Sequence, residues 1–282
     1  MRFTDDFLQL IRAFVRFALP LLLMGALAAC SSDKKDTYIA RDVEVLYNLG
    51  YKNLERKRWD LAAKAFDEVE RQHPYSEWAR RAQLMGAYAS YMDNKYDDAI
   101  LAAQRFLSLH PGNAYAAYAR YLIAISYYEQ MTDVYRDQKT TEQAADALEE
   151  VVRRFPGTDY ARDAALKLDL VRDQLAARDM EIGRFYLKHE QYLAAIGRFR
   201  HVIDNYGTTS HVPEALHRLV ECYTALGILP EARKYAAVLG YNHPGSKWYR
   251  YSYALLTGED VAPDKKPESR SFFARLLGIF GG

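Results

Sequence analysis

Small and apolar residues recur at helical spacing over most of the chain, and one arrangement of them returns five times. Each copy has an alanine, a further alanine or a bulky apolar residue four positions later, and usually a proline twelve positions after the first alanine. The copies read RWDLAAKAFDEVERQHP, KYDDAILAAQRFLSLHP, TTEQAADALEEVVRRFP, QYLAAIGRFRHVIDNYG and LPEARKYAAVLGYNHP, with the first alanine at Ala62, Ala99, Ala144, Ala195 and Ala232. This spacing predicts amphipathic helices, and its recurrence predicts a repeat architecture.

A second helical run precedes each alanine, and a small residue marks where the two helices meet. Gly50 and Gly183 each stand twelve residues before a repeat alanine. A residue without a side chain lets two helices approach closely, and Phe66 or Phe199 can fill the space beside it. The proline ends the second helix because it lacks an amide N–H and clashes with the preceding turn. The pattern resembles the tetratricopeptide repeat (TPR) and predicts an all-α superhelical solenoid of five helix–turn–helix repeats.

Two stretches interrupt the regular spacing of the repeats. Successive repeat alanines are 37, 45, 51 and 37 residues apart, against about 34 in the tetratricopeptide family. The polar stretch MTDVYRDQKTTEQ predicts a loop before the third alanine. The stretch YARDAALKLDLVRDQLAARDMEIGRFYLKHE keeps helical periodicity without proline and predicts a long helix that joins repeats three and four. We therefore expect three repeats in residues 42–157, and the long connecting helix with repeats four and five in residues 158–257.

The first residues of the chain have a different character. Arg2, Arg12 and Arg16 precede an apolar run of about 13 residues, from Phe17 to Ala29, whereas a helix needs ~20 apolar residues to cross a bilayer. Basic residues, a short apolar core and then small residues are the order of a secretory signal. The run ends in LAAC, which resembles a bacterial lipobox with Cys30 as the lipidated residue.

The lipobox resemblance implies that residues 1–29 are a cleaved signal peptide and that residues 30–41 are the lipidated N-terminus and its tether. Cys30 would carry S-diacylglycerol and an N-acyl chain, which anchor firmly because each buried methylene contributes ~0.8 kcal/mol. Ser31 resembles an outer-membrane address, so we expect the protein on the periplasmic face of the outer membrane. Two alternatives stay open: an ordinary signal with Cys30 near its cleavage site, and an uncut signal anchor.

Composition and motifs exclude several functions. The 38 Lys and Arg residues nearly balance the 37 Asp and Glu residues, for a net charge of +1, so no global field favours nucleic acid. The sequence has no HExxH, no GxSxG and no Gly-rich phosphate loop. We therefore predict a non-catalytic protein with no metal and no cofactor besides its covalent lipid. Cys222 lies in an apolar helical run, where a buried and inert thiol is expected, although counting cysteines leaves a disulfide with Cys30 open.

Tyrosine is unusually frequent, with 23 residues in the chain. Placing the predicted first helices on the sequence brings together six candidates for one surface, namely Tyr47, Tyr51, Glu55, Leu84, Tyr88 and Tyr91. A tyrosine ring combines a large contact area with a hydrogen-bonding tip and loses few rotamers on binding. These residues are candidates for a groove that receives an extended peptide with alternating aromatic residues. The alternative is that the rings only pack neighbouring repeats together.

Residues 258–282 differ from the repeats. GEDVAPDKKPESR is a polar linker that contains proline. The stretch that follows, SFFARLLGIFGG, places Phe272, Phe273, Leu276, Leu277 and Phe280 on one helical face. It predicts either a short amphipathic segment that touches a partner or the membrane, or a frayed tail.

A lipobox followed by five such repeats resembles the BamD family of lipoproteins of the β-barrel assembly machinery (BAM). The resemblance covers nearly all of the chain after the signal. It is carried by LYNLGYKNLERKRWDLAAKAFDEVERQHPYSEWA, DQKTTEQAADALEEVVRRFPGTDYARDAALKLDLVRDQLA and MEIGRFYLKHEQYLAAIGRF, and HVPEALHRLVECYTALG is similar to alphaproteobacterial versions.

The resemblance implies a scaffold that binds the POTRA domains of a BamA-like barrel protein through the C-terminal repeats. It also implies that the N-terminal repeats receive unfolded outer-membrane proteins and that other BAM lipoproteins are partners. An arginine three residues after the fourth repeat alanine contacts BamA in the family, and here that residue is Arg198; the alternative is an arginine that is only solvated. Two other functions stay open: a periplasmic TPR scaffold for cell division or peptidoglycan growth, and a chaperone or protease helper.

Overall fold

The computed structural model describes residues 41–259, which form eleven α-helices and no β-strand. The helices are α1 (Val43–Glu55), α2 (Trp59–Gln72), α3 (Glu77–Met92), α4 (Tyr96–Leu109), α5 (Ala116–Glu129), α6 (Lys139–Arg154), α7 (Asp159–Lys188), α8 (Tyr192–Asn205), α9 (Val212–Ala225), α10 (Leu229–Asn242) and α11 (Lys247–Thr257). Consecutive helices are joined by short connections and pack against each other. The all-α, tetratricopeptide-like prediction is confirmed.

The first alanine of each sequence copy lies in an even-numbered helix, from α2 to α10, and faces the core. The side chains of these alanines are 0% exposed, as read for Ala62, Ala99, Ala144, Ala195 and Ala232. A methyl group at this position lets the preceding helix lie close, because a larger side chain would have to displace tightly packed neighbours. The repeat alanine is therefore a packing residue.

Glycine in the first helix of a pair faces an aromatic ring from the second helix. A methyl group built on Gly50 of α1 would stand 2.6 Å from Cε1 of Phe66 in α2. One built on Gly183 of α7 would stand 2.5 Å from Cε1 of Phe199 in α8. Both rings are fully buried. The prediction that a small residue receives a ring at these two places is confirmed.

The even-numbered helices end in one common way. His73 follows α2 and has a non-helical geometry (φ −133°, ψ 56°). The next residue is Pro74, and proline disfavours helical geometry in the residue before it. The same position after α4, α6 and α10 is taken by His110, Phe155 and His243. Tyr206 adopts a similar geometry (φ −127°, ψ 38°) before Gly207. The fourth copy therefore ends like the others without a proline.

Helix α7 is 30 residues long and packs against a different neighbour along each half. Leu168 and Val171 of its first half share an apolar cluster with Leu148 of α6. Met180 of its second half shares another cluster with Phe199 of α8. One uninterrupted helix thus contributes to two apolar clusters, one with α6 and one with α8. The unbroken periodicity of its sequence predicts this continuity. The division of the chain into two arms at residue 158 stays a prediction.

The predicted polar loop is shorter than expected. Residues 130–138 connect α5 to α6, and residues 139–143, which were expected in the loop, form the first turns of α6. Two side chains of α7 hold the loop: Gln174 donates to the carbonyl of Thr132 (2.6 Å), and Arg178 donates to that of Val134 (3.2 Å). The two stretches that interrupt the repeat spacing therefore pack against each other.

Several predictions fall outside the described residues. They are the signal peptide, the lipid on Cys30 with its tether up to residue 40, and the amphipathic segment near the C-terminus. Within residues 41–259, no helix has the length and apolar character needed to span a membrane. Cys222 of α9 is 0% exposed, which agrees with the buried thiol expected from its sequence context.

Candidate partner-binding surfaces

Tyr47 of α1 packs between three helices. Its ring centroid lies 5.4 Å from that of Phe66 in α2 and 4.8 Å from that of Trp78 in α3. Burial raises the pKa of the Tyr47 phenol, while the charge of Arg81 opposes that shift. The ring is half-buried, so Tyr47 packs neighbouring pairs together and also presents one edge to the surface.

Two other candidates on α1 are open to solvent. Tyr51, one turn after Tyr47, is 49% exposed. Glu55 is exposed at the end of the helix. Because residues four apart lie on one face of a helix, Tyr47, Tyr51 and Glu55 form a continuous strip along α1. Tyr51 presents the largest free ring surface in this strip.

Leu84 is not on this surface. Its side chain is only 5% exposed and forms a core cluster with Phe106 of α4 and Ala119 of α5. Covered by these two helices, it cannot touch a bound peptide. The assignment of Leu84 to the groove is therefore corrected. Leu84 is a core residue between α3, α4 and α5.

Tyr88 and Tyr91 of α3 are half-buried and begin a larger cluster of tyrosines. The phenol of Tyr91 donates to Glu129 of α5 (3.4 Å), and its ring lies 5.7 Å from that of Tyr96. Burial, followed by the negative charge of Glu129, raises the pKa of Tyr91 to about 12. The hydroxyl is therefore a hydrogen-bond donor at neutral pH.

Three tyrosines absent from the sequence prediction extend the cluster to α5 and α7. The ring of Tyr160 lies 5.6 Å from that of Tyr118 and 5.3 Å from that of Tyr121. Tyr121 donates to Asp163 (2.5 Å). Burial is the main cause of the raised pKa of Tyr118, and the phenols of Tyr88, Tyr160 and Tyr91 add to it. The tyrosine-rich sequence of α5 is the feature from which Tyr118 and Tyr121 could have been predicted.

We call these residues the aromatic face; its members are Tyr47, Tyr51, Tyr88, Tyr91, Tyr118, Tyr121 and Tyr160. It runs over odd-numbered helices from α1 to α7. Protonated phenols can donate to backbone carbonyls, and the rings offer apolar area to side chains of an extended segment. Most of these rings also hold helices together, which agrees with the packing interpretation, and the groove that receives a peptide stays a prediction.

Arg198 lies on α8 and belongs to an ion-pair network around one buried carboxylate. Asp179 of α7 is 7% exposed. Arg198 donates from Nη1 to Oδ1 of Asp179 (3.1 Å), and Nδ1 of His201 lies 2.7 Å from Oδ2. The side chains of Arg198 and His201 remain 46% and 49% exposed. Both side chains can therefore contact a partner while they remain bonded to the buried carboxylate of Asp179.

Asp179 was missed by the sequence reasoning. It stands four residues from Leu175 and four from Gly183, on a helix face that is otherwise buried and apolar. A carboxylate at such a position is the sequence signal, since a buried charge requires partners. What the sequence could not give is the identity of those partners on α8.

A second network crosses the odd-numbered helices at the C-terminal end. Arg184 of α7 forms two hydrogen bonds with Glu214 of α9 (2.9 and 2.8 Å). Arg218 contacts Glu214 (3.3 Å) and Glu221 (2.8 Å), and its guanidinium lies 5.2 Å from the ring centroid of Trp248 in α11. Burial alone would raise the pKa of Glu214, but Arg184 and Arg218 outweigh it and lower that pKa. An ion pair therefore connects α7 to α9 and a cation–π contact connects α9 to α11.

A family model and two relatives match this chain over most of its length. A family model, YfiO, described as outer membrane lipoprotein, matches residues 40–239. The chain is 54% identical over 249 residues to the outer membrane protein assembly factor BamD of Caulobacter vibrioides, a match covering 87% of this chain and 82% of the relative. It is 47% identical over 237 residues to the BamD of Rickettsia prowazekii, covering 84% and 94%. The solved TPR2AB domain of yeast Sti1 is 12% identical, with a TM-score of 0.41 and coverage of 85% and 88%.

The family match and the all-helical tetratricopeptide-like fold define a class of lipoproteins built from helical repeats. Within that class, the chain belongs to the YfiO family of outer membrane lipoproteins. In residues 41–259, no group of His, Cys, Asp and Glu side chains is arranged to hold a metal ion.

Proposed function

We propose that this outer membrane lipoprotein is a non-catalytic assembly factor for outer-membrane β-barrel proteins and a component of the BAM complex. The observation that carries the proposal is the 54% identity, over 87% of this chain, to an outer membrane protein assembly factor. The family match from residue 40 to 239 begins just before α1 and extends into α10. It thus includes both candidate surfaces.

The two surfaces have different roles in this proposal. The pairs in residues 158–257 bind a BamA-like barrel protein through its POTRA domains, and Arg198 contributes to that contact. Its half-exposed guanidinium, held by Asp179, supports this role. The aromatic face, six of whose seven tyrosines lie in residues 42–157, receives unfolded outer-membrane proteins. Its contact candidates are Tyr51, Tyr88 and Tyr91, together with Glu55 one turn after Tyr51. Other lipoproteins of the complex are further partners.

The lipid on Cys30 keeps the protein at the membrane where barrels are inserted. Twelve residues separate Cys30 from α1, and an extended chain spans at most ~3.3–3.6 Å per residue. The repeats would therefore stay within a few tens of ångströms of the bilayer. A fatty-acid analogue should label the wild type and not Cys30→Ser, and equal labelling of both would refute the lipid assignment.

Depletion in the native organism tests the main proposal. We expect barrel proteins to disappear from the outer membrane while inner-membrane proteins keep their levels, because only the former need the assembly machinery. A complemented strain is the control. Unchanged barrel levels after depletion would refute the assembly role. If division proteins rather than a BamA-like protein co-purify with the solubilised lipoprotein, the alternative of an envelope scaffold replaces it.

A further inference from the structure

The glycines within the described helices divide into two kinds. A methyl group built on Gly50, Gly183 or Gly240 would lie within 2.6 Å of a buried aromatic ring, and one on Gly86 would touch Phe66 at 3.5 Å. Packing inside the chain explains Gly50, Gly183 and Gly240, whereas the buried Gly86 would accept a methyl group at an ordinary contact distance. A methyl group on Gly197, in the middle of α8, would meet nothing within 4 Å.

Gly197 therefore costs stability that the fold of this chain does not require. Glycine in a helix interior is less favourable than alanine because the unfolded chain loses more conformational freedom at that residue. A glycine on a surface is useful where another backbone or a ligand must come close. No atom of the described chain lies within 4 Å of a methyl group at Gly197, so this position leaves room for a group of another molecule.

The residues around Gly197 are exposed and held in place. Leu193, one turn before it, is 76% exposed. Arg198 follows it directly, and His201 lies one turn later; both are fixed by the buried carboxylate of Asp179. This removes part of the side-chain freedom that binding would otherwise cost. We define the α8 surface as Leu193, Gly197, Arg198 and His201.

The charges of the α8 surface indicate the kind of partner. Arg198 and Arg200 are exposed, and the nearest acidic side chain on the exposed face of α8 is Asp204, one turn beyond Arg200. A complementary surface is acidic, with an apolar side chain opposite Leu193. Close approach at one glycine, beside an arginine held in one orientation, fits a folded protein with a fixed shape. A lipid surface would need neither feature, and two arginines attract it only weakly.

We propose that Gly197 is the point of closest approach between α8 and the acidic surface of a folded partner domain, and that Asp179 is the positioning residue for Arg198 in that contact. The proposal rests on the function proposed above, in which the BamA-like barrel protein is the partner. It adds which residues set the fit, why a helix tolerates a glycine at this position, and what chemistry the partner presents.

The first experiment uses Gly197→Ala in the full-length lipoprotein, purified in detergent, with the POTRA domains of the BamA-like protein as the probe. We expect the thermal midpoint to rise and the affinity for the probe to fall at least tenfold, because the added methyl stabilises the helix and blocks the approach. Gly112→Ala, where a methyl group also meets nothing within 4 Å, is the matched control and should bind normally. A Gly197→Ala variant with unchanged affinity would overturn the proposal.

The second experiment separates positioning from stability. Asp179→Asn and Arg198→Ala should each weaken binding, and the double variant should lose less than the sum of the two single losses, because Asp179 acts in part through Arg198 and in part through His201. Thermal midpoints of all three variants show whether folding is affected. Fully additive losses would mean that Asp179 does not position Arg198.

Two outcomes distinguish this proposal from the proposed function. If the wild type does not bind the probe at all, the assembly role fails together with the proposal. If the wild type and all α8 variants bind equally, the assembly role stands and the α8 surface is wrong. A wild type that partitions more strongly into anionic phosphatidylglycerol vesicles than into neutral phosphatidylcholine vesicles, with this difference lost in Arg198→Glu and probe binding intact in both, would assign the surface to the membrane instead.

Discussion

At the scale of the residue, the same amino acid serves opposite purposes in two neighbouring helices. Gly183 of α7 is fully enclosed against Phe199, whereas Gly197 of α8 is open. The first glycine is required by the packing of the chain itself, and the second is not. Substitution by alanine should therefore have opposite effects on stability at the two positions.

We predict that Gly183→Ala lowers the free energy of unfolding by about 1–3 kcal/mol, since a methyl group 2.5 Å from Phe199 forces the ring or the helix to move. Gly197→Ala should raise it by about 0.5–1 kcal/mol, because only the helix propensity changes. Urea denaturation followed by circular dichroism measures both values. Stabilisation by Gly183→Ala would show that α7 and α8 are not packed through this contact.

At the scale of the element, α7 illustrates which features of the fold the sequence predicts and which it does not. Its length and the alanines, glycines and prolines around it follow from periodicity, because each depends only on neighbours within a repeat. Leu84 and Asp179 were misjudged or missed because their roles depend on which side chains of other helices cover them. The sequence predicts too late a start for α6, because the polar residues of its first turns resemble a loop.

The ion pairs between α7 and α9 predict that the stability of the folded protein falls at acidic pH. The pKa of Glu214 is lowered in the folded protein from its usual value of 4.5. As the pH falls, the unfolded chain therefore takes up the proton first, and the stability that Glu214 contributes above pH 4.5 is lost as the pH falls through the folded pKa.

We expect the thermal midpoint of the wild type to fall between pH 6 and pH 3 more steeply than that of Glu214→Gln. Glutamine keeps a hydrogen-bonding side chain of the same size but carries no charge at any pH. At pH 6 the variant should be less stable, because Arg184 and Arg218 lose their shared anion. Calorimetry at fixed ionic strength measures both curves, and parallel curves would show that this pair does not contribute.

At the scale of the whole molecule, the described chain carries two surfaces of different chemistry on different helices. The aromatic face offers rings and phenols from α1, α3, α5 and the start of α7. The α8 surface offers a glycine, a leucine, and an arginine and a histidine that both contact one buried carboxylate. No residue belongs to both surfaces, so substitutions should separate the proposed client reception from the proposed partner binding.

We predict that Tyr51→Ala weakens binding of an unfolded barrel-protein peptide at least threefold and leaves affinity for the BamA-like partner unchanged, whereas Arg198→Glu does the reverse. Tyr75→Ala, which removes a tyrosine that is 99% exposed outside the aromatic face, is the matched control for the first variant. Arg153→Glu, at an exposed position on α6, is the control for the second. Because distant sites without shared contacts add within about 0.3–0.5 kcal/mol, the double variant should lose both affinities by the amounts of the single variants. A loss of partner affinity in Tyr51→Ala would instead mean that the two surfaces are coupled through α7.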